Sequence, residues 1–387
     1  MKAFALFVPL WIASLWAAEV TLVTVEGEEV SGPLEALGAE RVRVKEREVP
    51  ASALAEIRFR HARQAAKDLA SLRFRNGDLL YGRPVSGGDK SLRFQATLLG
   101  EIDVKNDALA GLAFPVKEGP NAETLARFFA AQTGENDQLL APNGETVNCF
   151  LNEMTDKDLQ YDVEGQKRTR PYDQVAAFRY AALKPFEPLK GLLARVYLSD
   201  GSMLSGKLGD YREGKLALEG GEGMAWSIPE EALVSIAFAG GRLVYLDELE
   251  PKAEQKPLVG GAPLLFRWRR NLSAANGPLA VGKKEYLRGF GVHSFCRLTF
   301  DLGGAFTRFI AEVGMDRTAL SNAVCAWKVL ADGQELKAGE AKAGEAPTTL
   351  KLPVAGVKIL ELVCDYGADG DDSGDLLNWC EARLVKD

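Results

Sequence analysis

Residues that usually mark an enzyme are scarce in this sequence. It has only two histidines, His61 and His293, and they lie far apart along the chain. It contains no HExxH pair, no CxxC motif, no P-loop and no recognisable Ser/His/Asp set. A pair of catalytic carboxylates among the 54 acidic residues would leave no local pattern, because acid–base sites depend on groups positioned by the fold. We therefore predict a protein that is not an enzyme, with no catalytic residues.

An excess of positive charge is also missing. The formal net charge is −7, whereas nucleic-acid binding requires a basic surface that displaces counterions. We therefore predict no nucleic-acid partner. The hydrophobic fraction of 47% and the charged fraction of 26% are ordinary for a folded protein, so the chain can bury a core.

Long apolar runs are absent after the N-terminus. There, Lys2 precedes an almost wholly apolar stretch from Ala3 to Trp16, and two small residues precede Glu19. This layout is typical of a secretory signal peptide, predicted over residues 1–18. The stretch is shorter than the roughly 20 residues of a membrane span, although an uncleaved anchor is the alternative. We predict an exported protein, periplasmic or extracellular, with no membrane span after signal cleavage.

Between residues 19 and 241 the sequence repeats itself four times. Each copy opens with an alternating strand and a Glu-Gly, Asn-Gly or Asp-Gly pair, which is a hairpin signal. In three of the copies a glycine follows five positions later, and a glycine inside a strand usually marks a bulge or a sharp bend. These glycines are Gly32, Gly82 and Gly206, and in the third copy Cys149 stands at this position instead. Copies of roughly 40 to 45 residues predict small SH3-like or Sm-like β-barrels. The predicted repeats are 19–60, 71–115, 136–182 and 192–240.

The segments between the repeats predict linkers. Leu125, Phe128 and Phe129 stand at helical spacing after Asn121, a suitable N-cap, so a linker helix is predicted over 121–134. Residues 183–189 contain two prolines and indicate a stiff connection. The Pro-, Lys- and Gly-containing stretch 249–261 is the clearest domain boundary. A last domain is thus predicted over 262–387.

The last domain carries an ordered set of motifs between residues 263 and 385. They are Pro278-Leu279, Tyr286, Gly289-Phe290-Gly291-Val292-His293-Ser294, Arg297-Leu298-Thr299-Phe300-Asp301-Leu302, Phe309, Gly314-Met315-Asp316, Trp327-Lys328-Val329, Asp332-Gly333, Asp375 and Trp379-Cys380-Glu381-Ala382-Arg383-Leu384. This set resembles the NPCBM family of carbohydrate-binding modules. The resemblance implies a galactose-binding-like jelly-roll sandwich that binds glycans or glycoproteins without cleaving them.

The residue pattern independently predicts strands in this domain. Residues 296–302 alternate between apolar and polar side chains, as a half-buried antiparallel strand does. The Asp332-Gly333 pair between two strand patterns predicts a tight hairpin. Enough strands follow to build two packed sheets. Together with the repeats, this predicts an all-β fold: four small barrels followed by a sandwich.

The family resemblance implies ligand-binding residues, namely His293, Arg288, Asp316 and Trp379. His293 could instead fix a loop by bonding to the backbone, since buried polar groups need partners. Trp379 could instead belong to the core, where large aromatic residues normally lie. The closing segment departs from the family pattern, because Leu376 stands in place of a histidine and Asn378 in place of an aspartate.

An acidic, glycine-rich loop over residues 365–375 is the candidate metal site. Carboxylates on a flexible loop suit Ca²⁺, which takes six to eight oxygen ligands. The predicted ligands are Asp369, Asp371, Asp372 and Asp375. The alternative is a solvated acidic turn.

The five cysteines leave two possibilities open. Cys149 stands alone, and the others are Cys296, Cys325, Cys364 and Cys380. Export permits disulfides, and four cysteines allow three complete pairings. Free buried thiols are the competing interpretation, because each of the four stands where a small apolar residue would pack.

The sequence therefore predicts an exported, non-catalytic carbohydrate-binding protein. One alternative is a cell-envelope scaffold or adaptor with protein partners, whose sandwich no longer binds sugar; Leu376 and Asn378 favour it. A second alternative is an accessory part of a glycoside hydrolase system.

Overall fold

The computed structural model describes residues 18–64, 66, 68–130, 135–182, 187–260 and 263–386, without the side chains of residues 122 and 123. Nearly all of the predicted signal peptide, the end of the predicted linker helix and part of the stretch 183–189 lie outside the described residues. The chain divides into two compact units, one of residues up to 24 with 28–237, the other of residues 25–27 with 238–387. Within the described ranges, no helix is both long and apolar enough to cross a membrane.

The first unit consists of short antiparallel strands. In chain order they are β1 (Glu19–Thr24), β2 (Glu29–Leu37), β3 (Arg41–Val44), β4 (Arg47–Pro50), β5 (Leu54–Phe59), β6 (Ala70–Phe74), β7 (Leu79–Gly87), β8 (Ser91–Ala96), β9 (Gly100–Lys105), β10 (Leu109–Ala113), β11 (Asp137–Leu140), β12 (Thr146–Met154), β13 (Asp158–Val163), β14 (Gln166–Pro171), β15 (Ala177–Arg179), β16 (Leu193–Leu198), β17 (Met203–Arg212), β18 (Lys215–Glu219), β19 (Ala225–Pro229) and β20 (Leu233–Ala239). One helix, α1 (Ala122–Ala130), is described between β10 and β11.

These strands fall into four successive runs of five. In each run the first strand pairs with the second and with the fifth, as β1 does with β2 and β5. A 3₁₀ turn precedes every fifth strand; the turns are Ala51–Ala53, Asn106–Ala108, Tyr172–Gln174 and Glu230–Ala232. The runs follow the four sequence copies in order, and their closure into SH3-like or Sm-like barrels stays a prediction.

The fifth strands join the runs in pairs. β5 of the first run pairs with β20 of the fourth, and β10 of the second run pairs with β15 of the third. Their central residues, such as Ile57 and Phe178, are fully buried, so the shared strands carry the apolar cores of neighbouring runs. Helix α1 begins after Asn121, whose side-chain oxygen accepts a hydrogen bond from the Thr124 backbone N–H at 2.8 Å. This is an N-cap bond.

The second unit contains the remaining strands. They are β21 (Leu243–Tyr245), β22 (Lys252–Gln255), β23 (Arg269–Arg270), β24 (Leu279–Val281), β25 (Lys284–Tyr286), β26 (Gly289–His293), β27 (Cys296–Asp301), β28 (Arg308–Met315), β29 (Val324–Ala331), β30 (Gln334–Lys342), β31 (Thr348–Pro353), β32 (Ile359–Tyr366) and β33 (Leu376–Val385). One sheet has the order β23-β26-β33-β28-β31, with β21 also paired to β33. The other has the order β22-β27-β32-β29-β30, and β24 and β25 form a hairpin.

A single apolar core lies between the two sheets. It contains the inward residues of β27, namely Cys296, Leu298 and Phe300, together with Trp327 and Trp379. All ten residues of β33 are buried, because its outer face is covered too. On that outer face Cys380 of β33 packs in a small cluster with Leu279, Val281 and Tyr286. The all-β fold with a C-terminal sandwich, predicted from the sequence, is confirmed.

The sandwich begins earlier than the sequence suggested. The predicted linker 249–261 contains β22, which pairs with β27 from Lys252 opposite Thr299 to Gln255 opposite Cys296. The prediction of a linker there was wrong because β22 is an edge strand. Edge strands commonly carry exposed charged residues, so the sequence of such a strand resembles that of a polar linker.

Candidate functional site

Antiparallel pairing brings several connections to one end of the sandwich. β26 ends at His293, opposite Leu376, the first residue of β33. β28 ends at Met315, opposite the second residue of β33. The connections at this end include 294–295, 316–323, 343–347 and 367–375, and the segment that follows β22 begins there too. We call this region the loop end. Loop clusters held by a rigid sheet are common positions for binding residues.

His293 and Phe266 form a stacked ring pair at the loop end. Their ring centroids are 5.1 Å apart and the rings are inclined by 24°. Both side chains are partly exposed. The His293 Nδ1 lies 2.8 Å from the Ser294 carbonyl oxygen, a bond in which Nδ1–H donates. His293 is therefore oriented by the backbone while its ring face packs on Phe266. Sequence analysis missed Phe266, since it lies in an irregular segment between β22 and β23.

Asp375 holds the end of the acidic loop against the turn that follows β26. It is buried, and its Oδ2 accepts a hydrogen bond from the Ser294 Oγ at 2.5 Å. Burial raises the pKa of the Asp375 carboxyl to about 6, although the bond from Ser294 favours the ionised form. The bond ties the turn after β26 to the last residue before β33.

Of the other predicted calcium ligands, Asp369 and Asp371 bond within the acidic loop, whereas Asp372 Oδ2 lies 3.4 Å from the Leu258 N–H. Asp371 Oδ1 accepts hydrogen bonds from the backbone N–H groups of Asp372 and Ser373 and from the Ser373 hydroxyl. These bonds lower the pKa of Asp371. Asp369 Oδ1 lies 3.4 Å from the Asp371 N–H. In the part of the chain that the structure describes, no three His, Cys, Asp or Glu side chains gather as a metal site. Calcium also takes carbonyl and water oxygens, and calcium binding by the acidic loop stays a prediction.

Asp316 lies under the loop end, where it organises the backbone. Its Oδ1 accepts bonds from the Thr318 N–H at 2.9 Å and the Thr318 hydroxyl at 2.6 Å. Its Oδ2 accepts a bond from the Asn378 Nδ2 at 2.7 Å. The same Nδ2 also donates to the Ala280 carbonyl oxygen. An aspartate at 378 would place a second carboxylate against Asp316, which explains why an amide suits this chain.

The prediction that Arg288 binds ligand is wrong, because its side chain is buried and has no exposed surface that a ligand could contact. It is 1% exposed, its Nε donates to both carboxylate oxygens of Asp247 at 3.0 and 3.1 Å, and its Nη2 donates to Glu248 at 2.7 Å. Its guanidinium also lies 3.9 Å above the Tyr245 ring. Arg288 therefore fastens β21 and the following turn to β26.

The prediction that Trp379 binds ligand is also wrong. It is 1% exposed and packs edge-to-face on Trp327 in the core, with ring centroids 6.1 Å apart. The structure thus supports the alternative in which this tryptophan is a core residue. Side chains alternate between the two faces of a strand, and the neighbouring Cys380 faces the outer cluster, so Trp379 faces the core.

The exposed surface of the loop end is partly apolar. Val259 is 69% and Leu265 85% exposed, and Leu258 and Leu320 are also exposed. Two further aromatic residues, Phe295 and Tyr366, are partly exposed, and the Lys256 ammonium lies 5.5 Å from the Phe295 ring centroid. The loop end thus combines half-exposed rings, apolar side chains and an acidic loop. Such mixtures suit ligands that have both an apolar face and hydroxyl groups.

Comparison with protein families confirms the resemblance seen in the sequence. Residues 242–385 match the family described as the NPCBM/NEW2 domain. The match begins one residue before β21 and ends at the last residue of β33, so it spans both sheets of the sandwich.

Individual relatives share only part of the chain. A protein of Renibacterium salmoninarum, named as an endo-alpha-N-acetylgalactosaminidase, is 27% identical over 110 residues, which are 28% of this chain and 7% of that protein. The chain therefore spans a small part of that curated relative.

Two solved structures are also similar. The first is the CBM51 module of a Clostridium perfringens family 95 glycoside hydrolase in complex with methyl-galactose. It is 23% identical, covers 37% of this chain and 99% of that chain, and has a TM-score of 0.33. The second is the tandem CBM51 pair of a Streptococcus pneumoniae family 98 glycoside hydrolase, at 14% identity, with 70% and 92% covered and a TM-score of 0.32.

Proposed function

We propose that the second unit, whose residues 242–385 match the NPCBM/NEW2 domain, binds carbohydrate at its loop end. The observation that carries the proposal is the partly exposed Phe266–His293 ring pair, which lies in that matched sandwich close to the acidic loop. A sugar ring has a face of C–H groups that packs on an aromatic ring, and hydroxyl groups that need hydrogen-bond partners.

The acidic loop can supply those partners. Asp369 is exposed and Asp372 is partly exposed, and carboxylates accept hydrogen bonds from hydroxyl donors. The Asp375–Ser294 bond holds the loop in place, so that less conformational entropy is lost on binding. A single shallow site of this kind binds weakly, and several copies on one surface would raise the apparent affinity.

We further propose that the protein is exported and not catalytic. Export is supported by the arrangement of Lys2 and the apolar stretch that follows it. A non-catalytic role is supported by the sequence, because its two histidines, His61 and His293, belong to different compact units and neither lies in a recognisable catalytic motif. The four strand runs would then act as spacers or as docking units for envelope proteins.

An adaptor that binds protein through the loop end is the second candidate. Val259, Leu265 and Leu320 favour it, because exposed apolar side chains grouped in one region often mark protein-binding surfaces.

A glycan array probed with the full chain tests the proposal, with one arm in Ca²⁺ and one in chelator. We expect binding to a restricted set of glycans. Loss of that binding in chelator would support the predicted calcium site as well. No glycan binding by a chain with the circular dichroism of a folded β protein would contradict the proposal and favour the adaptor.

A further inference from the structure

Three of the cysteines line the inside of the sandwich. Cys296, Cys325 and Cys364 lie on β27, β29 and β32 of the five-stranded sheet, and each is at most 1% exposed within the apolar core. Cys380 is buried on the other side of the facing sheet, in the outer cluster with Tyr286. Cys149 belongs to the first unit. Pairing within the sandwich core is therefore restricted to the first three cysteines.

Strand register distinguishes between these three. Cys296 and Cys364 are direct partners across β27 and β32. Directly opposite residues have Cα atoms about 4.5 or 5.5 Å apart, depending on the hydrogen-bonding position. Both values lie within the range of about 4.4 to 6.8 Å that a disulfide requires. The Cβ atoms of directly opposite residues are generally about 4.5–5.5 Å apart. A disulfide needs about 3.5–4.5 Å, so a shift of roughly 1 Å would suffice.

Cys325 is less well placed. Its direct partner across β29 and β32 is Tyr366, so it stands diagonally to Cys364. Diagonal neighbours are about 7–8 Å apart, which exceeds the usual Cα separation of a disulfide. The Cys325 thiol lies near the Cys364 thiol and the Asp375 carboxyl and affects the pKa of both, so strand register, and not the mere proximity of two thiols, favours Cys296 as the partner of Cys364. The Cys325 side chain is therefore accommodated in the core as a free thiol.

We propose that Cys296 and Cys364 form a disulfide when the protein folds in an oxidising environment, and that Cys325, Cys380 and Cys149 remain thiols. In the reaction, the thiolate of one cysteine attacks a small-molecule disulfide and releases one thiol. The second cysteine then attacks the mixed disulfide and releases the other. Two protein thiols lose two hydrogens, and the small-molecule disulfide is reduced to two thiols. This proposal does not depend on sugar binding.

The bridge is expected to form before the core closes. Burial raises the pKa of Cys296 to about 12 and that of Cys364 well above its usual value, where the Cys325 thiol adds to the effect. Since the thiolate is the attacking species, the folded, reduced protein should react very slowly. A chain that refolds in the presence of the oxidant has both thiols accessible.

The test is refolding of the full chain from denaturant with a mixture of reduced and oxidised glutathione, followed by alkylation in denaturant and peptide mass mapping. We expect one linked peptide that joins Cys296 to Cys364, a mass lower by about 2 Da than that of the reduced chain, and three alkylated cysteines. Five alkylated cysteines, or a bridge that involves Cys325 or Cys380, would overturn the proposal.

Two variants sharpen the test. Cys325→Ser should keep the bridge, because Cys325 has no part in it. Cys364→Ser should yield no bridge, and a bridge from Cys296 to Cys325 in that variant would show that register does not select the pair. The bridge closes a long loop of chain, so the oxidised protein should melt roughly 10 °C above the reduced one. Equal melting temperatures would contradict a bridge that stabilises the sandwich.

Discussion

Replacing Asn378 by aspartate tests the description of the buried contact beneath the loop end. Asn378 is fully buried, and its Nδ2 lies 2.7 Å from Oδ2 of the almost fully buried Asp316. The substitution changes few atoms, but it exchanges a hydrogen-bond donor for a second carboxylate. It also removes the bond to the Ala280 carbonyl oxygen.

The size of the effect follows from two limits. Two ionised carboxylates about 3 Å apart repel by roughly 5 kcal/mol at an effective dielectric constant of about 20. Keeping one of them protonated at pH 7 costs about 4 kcal/mol, because the reference pKa of aspartate is about 3.9. The folded variant adopts the state of lower free energy, in which one carboxyl is protonated. Asn378→Asp should therefore lower the free energy of unfolding by about 4 kcal/mol at pH 7.

The loss should depend on pH with a definite sign. The raised folded pKa means that the folded variant binds a proton more tightly than the unfolded chain, so the penalty grows as pH rises above about 4. Urea unfolding of the full chain at several pH values measures it. Asn378→Ala, which removes the same hydrogen bonds without adding a charge, is the control. Equal and pH-independent losses in both variants would refute the reasoning.

Three further predictions concern single side chains. Burial raises the Asp375 pKa to about 6, so the protein should lose roughly 2 kcal/mol of stability as pH rises from about 4 to about 6, and thermal melts of Asp375→Asn should lack this slope. Arg288→Ala leaves the buried Asp247 carboxylate without its cation, and should lower the free energy of unfolding in urea by about 3–5 kcal/mol; a loss below about 1 kcal/mol would contradict the buried ion pair. Asn121→Ala removes the N-cap of α1 and should cost about 1 kcal/mol in the same assay, whereas Asn121→Asp should cost little.

Much of the fold could be predicted from local patterns in the sequence. The alternation over residues 296–302 predicted β27 with its inward face, because side chains of a strand alternate between core and solvent. The Asp332-Gly333 pair predicted the tight hairpin of β29 and β30, and both residues have positive φ there. These features depend on a few neighbouring residues, so the sequence shows them directly.

Other features depend on distant residues and could not be predicted. The ion pair of Arg288 with Asp247 joins positions 41 residues apart, and no local pattern marks either partner. Phe266 was missed for the same reason, since only the fold brings its ring against His293. Trp379 was ambiguous because a large aromatic residue suits both a core and a sugar site, and only burial distinguishes them.

The most direct measurement of the central claim is a titration of the full chain with the strongest glycan found on the array, comparing wild type with Phe266→Ala. The matched control is Phe150→Ala, because Phe150 is an exposed phenylalanine of the first unit. We expect Phe266→Ala to weaken binding by roughly tenfold, in line with the loss of one aromatic contact, and Phe150→Ala to leave it unchanged. Full binding by Phe266→Ala, or an equal loss in both variants, would contradict a glycan site at the loop end.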